Sequence, residues 1–258
     1  MRVWSHITKA QWRQLERGRL RADAALVMKR NPYYIVAYRW MIKQMEKRIG
    51  VAPEGVTFPL WAWRAYDGEV ARPDIENDDI YIGCDDYMVR LDIPDDQVLV
   101  SDFNLWHNVL NFSYLPKNDE EARMIEEHWK TPYRSDIRTE DMLPWDAKFS
   151  ICKAEIMIAT GDVEYAKFKA MELAYGESWE QIFDSGYSVE GYADENPRLQ
   201  AVAWEFTLDQ VCGLEHINRR RKLGEIWAAY KGWRQSRRFW KNYRPSEEEI
   251  RWQEVLKW

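Results

Sequence analysis

The sequence is poor in the features that most often announce a function. It has three cysteines in 258 residues, Cys84, Cys152 and Cys212. They are far apart and odd in number, and none belongs to a C-x-x-C pair, which argues against a disulfide framework and against a structural zinc site. No stretch approaches the roughly 18 apolar residues that a membrane-spanning helix requires. The opening MRVWSHITKAQWRQ lacks the apolar core of a secretory signal. The expectation is therefore a soluble protein of a reducing compartment, the cytoplasm. Catalytic signatures are missing too: G-x-S-x-G, H-E-x-x-H, the phosphate-binding loop and G-x-G-x-x-G do not occur. His6, His107, His128 and His216 do not fall at a ligand spacing. The acidic run from Asp67 to Asp79 lacks the D-x-D-x-D-G order of a calcium loop. No metal is expected.

Aromatics, by contrast, are abundant, with 15 Trp and 14 Tyr. Such side chains fill cores, line ligand pockets and stack on bases. The net charge of -6 is mild and excludes little. The length suits one large domain or two small ones.

Along the chain, Arg2 to Ile7 reads as a strand and Thr8-Lys-Ala-Gln11 as a capping box opening a helix that stops at Gly18. Apolar spacing predicts a helix from Tyr34 to Ile49, ended by Gly50. VTFPLWAWRAY, Val56 to Tyr66, reads as an aromatic strand that Pro59 assigns to an edge or a bulge. YMVRLDI and Val98 to Val100 read as strands joined by Pro94-Asp95-Asp96. Asp102 and Asn118 are positioned to cap the helices that follow them. Lys148 to Met171 reads as helical. Ser178-Trp-Glu-Gln181 and Thr207-Leu-Asp-Gln210 match the capping box again, and LQAVAWEF, Leu199 to Phe206, reads as a late strand. The fold class expected is α+β: a small twisted mixed sheet with flanking helices over residues 1–216, followed by a basic helical extension over 217–258. In that extension Lys231, Arg234, Arg238 and Lys241 share one helical face, and Ile226, Tyr230, Trp233 and Trp240 lie on another. Cations on one face neutralise phosphates while tryptophans stack on bases, so RNA or DNA is one expected partner of this tail, and a protein another. A plain solvated helix docked by its aromatic side fits the same pattern.

Four blocks carry a family resemblance. They are VW-x-x-I-T with its helix and Gly18-x-Leu20; AYRWMIKQMEKRIG with PLWAW; VLVSDFNLWHNVLN; and SWEQIF with QAVAWEF. Together they resemble a bacterial family known only as a domain of unknown function, over roughly residues 1–216. The resemblance implies a fold and no activity.

The order of a strand, a capped helix, G-x-L, an aromatic strand and a late strand bearing a glutamate also resembles ADP-ribosyltransferases. In that superfamily the first strand supplies an Arg or His that holds NAD, a middle strand an aromatic or Ser, and a late strand a Glu. The resemblance implies His6 or Arg2 for the first position, Trp61 or Trp63 for the second and Glu205 for the third, with NAD as co-substrate. The chemistry is coherent. Breaking the nicotinamide–ribose bond builds a cationic ribose that a carboxylate stabilises, an aromatic stacks on the nicotinamide, and a His or Arg orients the dinucleotide. The expected activity is transfer of ADP-ribose to a nucleic acid or protein, as in a toxin or defence factor. The alternative is a non-enzymatic module that binds nucleic acid or protein through the basic tail. Each residue also has an ordinary reading: Glu205 as an outward strand residue beside a buried Trp204, His6 as surface polarity, and Trp61 and Trp63 as core.

Overall fold

Strands begin where β-branched and aromatic residues alternate. The computed structural model describes residues 1–30, 34–74, 86–130 and 142–217. Strand β1 (Arg2–Thr8) buries Val3 and Ile7 on one face and Trp4 on the other. Thr8 then caps α1 (Lys9–Leu15): its Oγ1 accepts from the Gln11 amide at 3.3 Å, and the Thr8 amide donates back to Gln11 Oε1 at 2.9 Å. A cap of this kind stabilises a helix by about 1 kcal/mol. Gly18, at φ 117°, turns the chain into the short β2 (Arg19–Leu20). Next come α2 (Ala24–Arg30) and α3 (Ile35–Ile49).

Strand β3 (Leu60–Ala65) starts after Pro59 rather than at Val56. The proline therefore removes no ladder donor, and β3 occupies the interior of the sheet, not an edge. A register shift does fall in β3, between Trp63 and Ala65. β4 (Asp86–Asp92) and β5 (Leu99–Asp102) form as expected, with one 3₁₀ turn over Asp95–Gln97 between them, but they do not pair with each other. Asp102 caps α4 (Phe103–Leu110) through the Leu105 amide, and Asn118 caps α5 (Asp119–Lys130) through the Glu121 amide. The helical stretch that follows is two helices, α6 (Pro144–Thr160) and α7 (Val163–Tyr175). Gly161 separates them in the left-handed conformation at φ 68°.

Ser178 does not cap the 3₁₀ turn Ser178–Phe183. Its hydroxyl instead donates to Tyr175 O and accepts from the Leu115 amide, tying two segments together. The late strand is broken. β6 (Leu199–Ala203) ends in the main sheet, Trp204 and Glu205 leave it, and β7 (Phe206–Thr207) pairs with β2. Thr207 and Gln210 form their capping box around a single 3₁₀ turn, which leads into β8 (Val211–Ile217).

The six-stranded sheet runs β5-β6-β3-β1-β4-β8, and every pairing from β5 to β4 is antiparallel. This is an α+β architecture. One face, with Val3, Ile7, Leu60, Val89, Leu91 and Ala201, packs under α1 and the β2–β7 ribbon. The other carries Leu99, Val202 and Trp61 into a larger core built from α3, α4, Trp145 of α6, Tyr175 of α7 and the fully buried Trp179. Two compact units divide the chain. The first holds Met1–Ile82 and Asp86–His216. The second holds Gly83–Asp85 and Ile217–Trp258, of which Ile217 alone belongs to the described residues. The basic face of Lys231, Arg234, Arg238 and Lys241, the acidic stretch 75–79 and Cys84 lie outside the described residues. Among the described residues no helix is long and apolar enough to cross a membrane, and no cluster of His, Cys, Asp and Glu has the makings of a metal site.

Candidate active site

The strand order brings β6, β3 and β1 side by side at the centre of the sheet. These are the strands next to or bearing Glu205, Trp61 and His6. Trp4 lies opposite Trp63 and Trp61 opposite Val202. Because antiparallel partners step in opposite directions, the same register sets His6, Trp61 and Val202 in one row across three strands. All three side chains point to the same face.

His6 is half-buried. Its Nε2 lies 3.0 Å from Asp86 Oδ2, but the contact does not meet hydrogen-bond geometry, and this buried nitrogen has no hydrogen-bond partner. Trp61 is half-buried as well. Its ring lies 5.2 Å from that of Trp106 and meets Tyr38 edge-on at 6.1 Å. Burial pushes the Tyr38 phenol above its ordinary pKa, and Tyr34 adds to the shift.

Arg2 is not part of this group. It sits at the far end of β1, four residues from His6 or about 13 Å along a strand. There it forms a two-pronged pair with Asp92, at 3.1 and 3.2 Å. Trp63 lies one pleat toward that end, with Phe103 at 4.8 Å and Tyr66 at 5.5 Å. Of the alternatives at the two ambiguous positions, His6 and Trp61 share a row, while Arg2 and Trp63 lie toward the opposite end.

Glu205 follows β6 at the end of the sheet nearer His6. Its carboxylate is clamped: Arg19 Nη1 donates to Oε1 at 2.9 Å and Arg21 Nε to Oε2 at 2.8 Å. Arg21 also donates to Glu54 O at 3.1 Å. The glutamate side chain is 15% exposed, against 61% for Arg19 and 34% for Arg21. The β2–β7 pairing of Leu20 with Phe206 fixes this arrangement, because the arginines flank Leu20 and Glu205 precedes Phe206. Neither arginine was singled out from the sequence. The signal available was alternation around Leu20, which puts Arg19 and Arg21 on one side of a strand. Asp86 and Tyr38 gave no comparable signal.

A separate concavity of about 280 Å³ opens between α5, α6 and α7, lined by Tyr114, Glu121, Trp145, Lys117 and Glu177 among others. None of the candidate site residues named from the sequence lines it. Most of its polar groups are already engaged. Tyr114 stacks on Trp145 at 3.9 Å and donates to Glu121, and Lys117 bridges to Glu177 at 3.0 Å. Burial and the Glu121 carboxylate hold the Tyr114 phenol well above its usual range. With Tyr114, Glu121, Lys117 and Glu177 paired among themselves, this concavity is a weaker candidate for chemistry than the His6 row. His107, on α4, is a hydrogen-bonded helix residue, with Nδ1 2.9 Å from Phe103 O.

A family model, Domain of unknown function (DUF3841), matches residues 2–212. The chain belongs to the DUF3841 family. The match takes in every strand of the sheet except the last residues of β8, so the row of His6 and Trp61, and Glu205 with its arginines, all lie within the DUF3841 domain. No curated protein and no solved structure matches the chain.

Proposed function

We propose that this DUF3841 protein consumes NAD and transfers ADP-ribose to a nucleic acid or protein acceptor. The observation that carries the reading is the adjacency of β1, β3 and β6, with His6 and Trp61 in one row and Glu205 just beyond. Strands distant in sequence are aligned so that the histidine and the aromatic of the resemblance share a row on one face, while Glu205 follows β6 at the same end of the sheet, held by the β2–β7 ribbon that covers the opposite face. The half-buried His6, with Nε2 beside the Asp86 carboxylate at 3.0 Å, supports it, being an imidazole suited to a ribose hydroxyl.

In this reading Trp61 offers a ring to the nicotinamide, and His6 fixes the ribose. Glu205 faces the positive charge that develops on the ribose as nicotinamide leaves. Its clamp has a part to play. Two guanidiniums neutralise the carboxylate while the site is idle, and the pyrophosphate of a dinucleotide is a competing partner for the same arginines. Binding then draws Arg19 and Arg21 toward the phosphates and frees Glu205 for the ribose.

The test is nicotinamide release and label transfer from labelled NAD by the full chain, alone and with RNA, DNA or cell lysate. The wild type is expected to turn NAD over. Glu205→Gln is expected to lose at least about 100-fold in rate, the scale of one electrostatic group at a transition state, while melting as a folded protein. A normal rate in Glu205→Gln removes that residue from the mechanism. No turnover, together with no NAD binding by calorimetry, removes the reading altogether.

A further inference from the structure

Between Lys9 and Arg21 the chain carries five cations, Lys9, Arg13, Arg17, Arg19 and Arg21, against one acid, Glu16. The protein as a whole has a net charge of -6, so this stretch runs against the trend of the molecule. Arg19 and Arg21 are held by Glu205. Arg13 and Arg17 are exposed and form no ion pair with any described residue. Like charges at this spacing of four repel each other, and an anionic partner relieves the repulsion.

A row of rings starts on the same helix. Trp12 of α1 lies 5.7 Å from Tyr87 of β4, and Tyr87 lies 5.0 Å from His216 of β8, with tilts of 31° and 39°. Tyr87 is the register partner of Ile7, so the row stands on the sheet face that α1 covers, opposite the face of His6 and Trp61. Trp12 and Tyr87 are half-buried and His216 is exposed. The row therefore runs from the margin of the core into solvent. Lys9 is three residues from Trp12 and four from Arg13, which makes it a neighbour of both on the helix surface. Cations and rings thus share one flank of α1.

The cations call for a polyanion, and the rings select among polyanions. Nucleic acid phosphates neutralise lysine and arginine, and unpaired bases stack on aromatic side chains. An acidic peptide offers charge without flat faces in series, and a duplex keeps its base faces covered. We infer that α1, β4 and β8 form a binding surface for single-stranded nucleic acid, in which Arg13 and Arg17 hold phosphates and Trp12, Tyr87 and His216 receive bases. Binding here requires no NAD turnover.

Fluorescence anisotropy tests this surface, with labelled single-stranded RNA and DNA of about 12 nucleotides titrated with the full chain in the absence of NAD. Either single strand is expected to bind more tightly than the duplex of the same sequence and than polyglutamate. Arg13→Gln combined with Arg17→Gln, both at exposed positions, is expected to weaken binding at least about tenfold. It also lowers the slope of log affinity against log salt by about 1.4, because each lost single-strand phosphate contact removes about 0.7. His216→Ala, again at an exposed position, and Trp12→Leu, which keeps an apolar side chain against the core, are each expected to weaken binding at least about fivefold. Both leave the salt slope unchanged, since a base stacked on a ring releases no counterion. Trp12→Phe keeps the ring and binds like the wild type. No binding of either single strand overturns the inference. So does equal binding of the duplex or of polyglutamate. Affinity that survives the arginine pair or both ring variants overturns it too, and leaves Lys231, Arg234, Arg238 and Lys241 as the place to look.

Discussion

The clamp on Glu205 makes a quantitative prediction about stability that is independent of any activity. Arg19 and Arg21 each give one hydrogen bond to the same carboxylate, at 2.9 and 2.8 Å, but their surroundings differ. Arg19 is 61% exposed, so its pair is screened and contributes about 0.5 kcal/mol. Arg21 is 34% exposed, holds Glu54 O as well, and faces a glutamate that is only 15% exposed. Hydrogen bonds to charged groups contribute about 1.5–3 kcal/mol, and discounting for the remaining solvent gives about 1–2 kcal/mol for Arg21. Urea unfolding of Arg19→Ala, Arg21→Ala, Glu205→Ala and the corresponding doubles resolves this. The Arg21–Glu205 coupling energy is expected to be about 1–2 kcal/mol and the Arg19–Glu205 coupling at most about half of that. In a protein of this size a loss of 1–2 kcal/mol lowers the melting temperature by about 2–8 °C. A larger coupling for Arg19 than for Arg21, or additivity of Arg21→Ala with Glu205→Ala, refutes the reasoning from burial.

Two further outcomes follow from the core and the caps. Trp179 is fully buried, meets Trp40 edge-on at 5.7 Å and donates to Ser113 O at 2.8 Å. Trp179→Phe is expected to cost about 2–3 kcal/mol by chemical unfolding, through the lost volume and an unsatisfied carbonyl. Burial pushes the Asp102 carboxyl above its ordinary pKa, against the opposing amides of Leu105 and Asn104 and with Asp194 adding to the rise. The folded state therefore holds its proton more tightly than the unfolded state, and this group's contribution to stability falls as pH rises through the carboxylate range. Asp102→Asn keeps a capping side chain without the charge. It is expected to melt like the wild type at about pH 3 and at a higher temperature than the wild type at pH 7, a crossover absent if burial is not the cause.

Local signals in the sequence translated well. Thr8 with Gln11, Asp102, Asn118 and Gly50 all mark the ends that their hydrogen-bonding and conformational chemistry dictates, because those effects act within one turn. The failures are non-local. The stretch Val56 to Tyr66 suggested an edge or a bulge because of Pro59; the strand starts one residue later, carries its register shift at Trp63–Ala65 and lies between β6 and β1, a choice made by distant partners. LQAVAWEF reads as one strand, yet it divides at Trp204, whose indole donates to Gly50 O at 3.0 Å while Phe206 turns to Leu20. β8 gave no apolar alternation to read. It pairs at the sheet edge, where Arg90 donates to Cys212 O and lies over Gly213 so closely that a Cβ there would sit 3.0 Å from Nε. The candidate site was legible as residue types at His6, Trp61 and Glu205. That His6, and not Arg2, shares a row with Trp61 required the register, and the arginine clamp required the β2–β7 pairing across 186 and 184 residues.

The insertion of β6 between β3 and β5 has a consequence for how the chain is made. Both flanking strands are complete by Asp102, but the strand that joins them ends at Ala203. At ribosomal speeds of about 5–20 residues per second, the roughly 100 residues between them take on the order of ten seconds to emerge. Throughout that interval β3 presents one open, aromatic-rich ladder edge and β5 another, and such edges pair readily with strands of other chains. The helices synthesised in between, three of them capped by Asp102, Asn118 and Asp162, form by local contacts, whereas closure of the sheet waits for a late segment. A truncation that removes β6 is therefore expected to leave an aggregating product rather than a smaller stable domain.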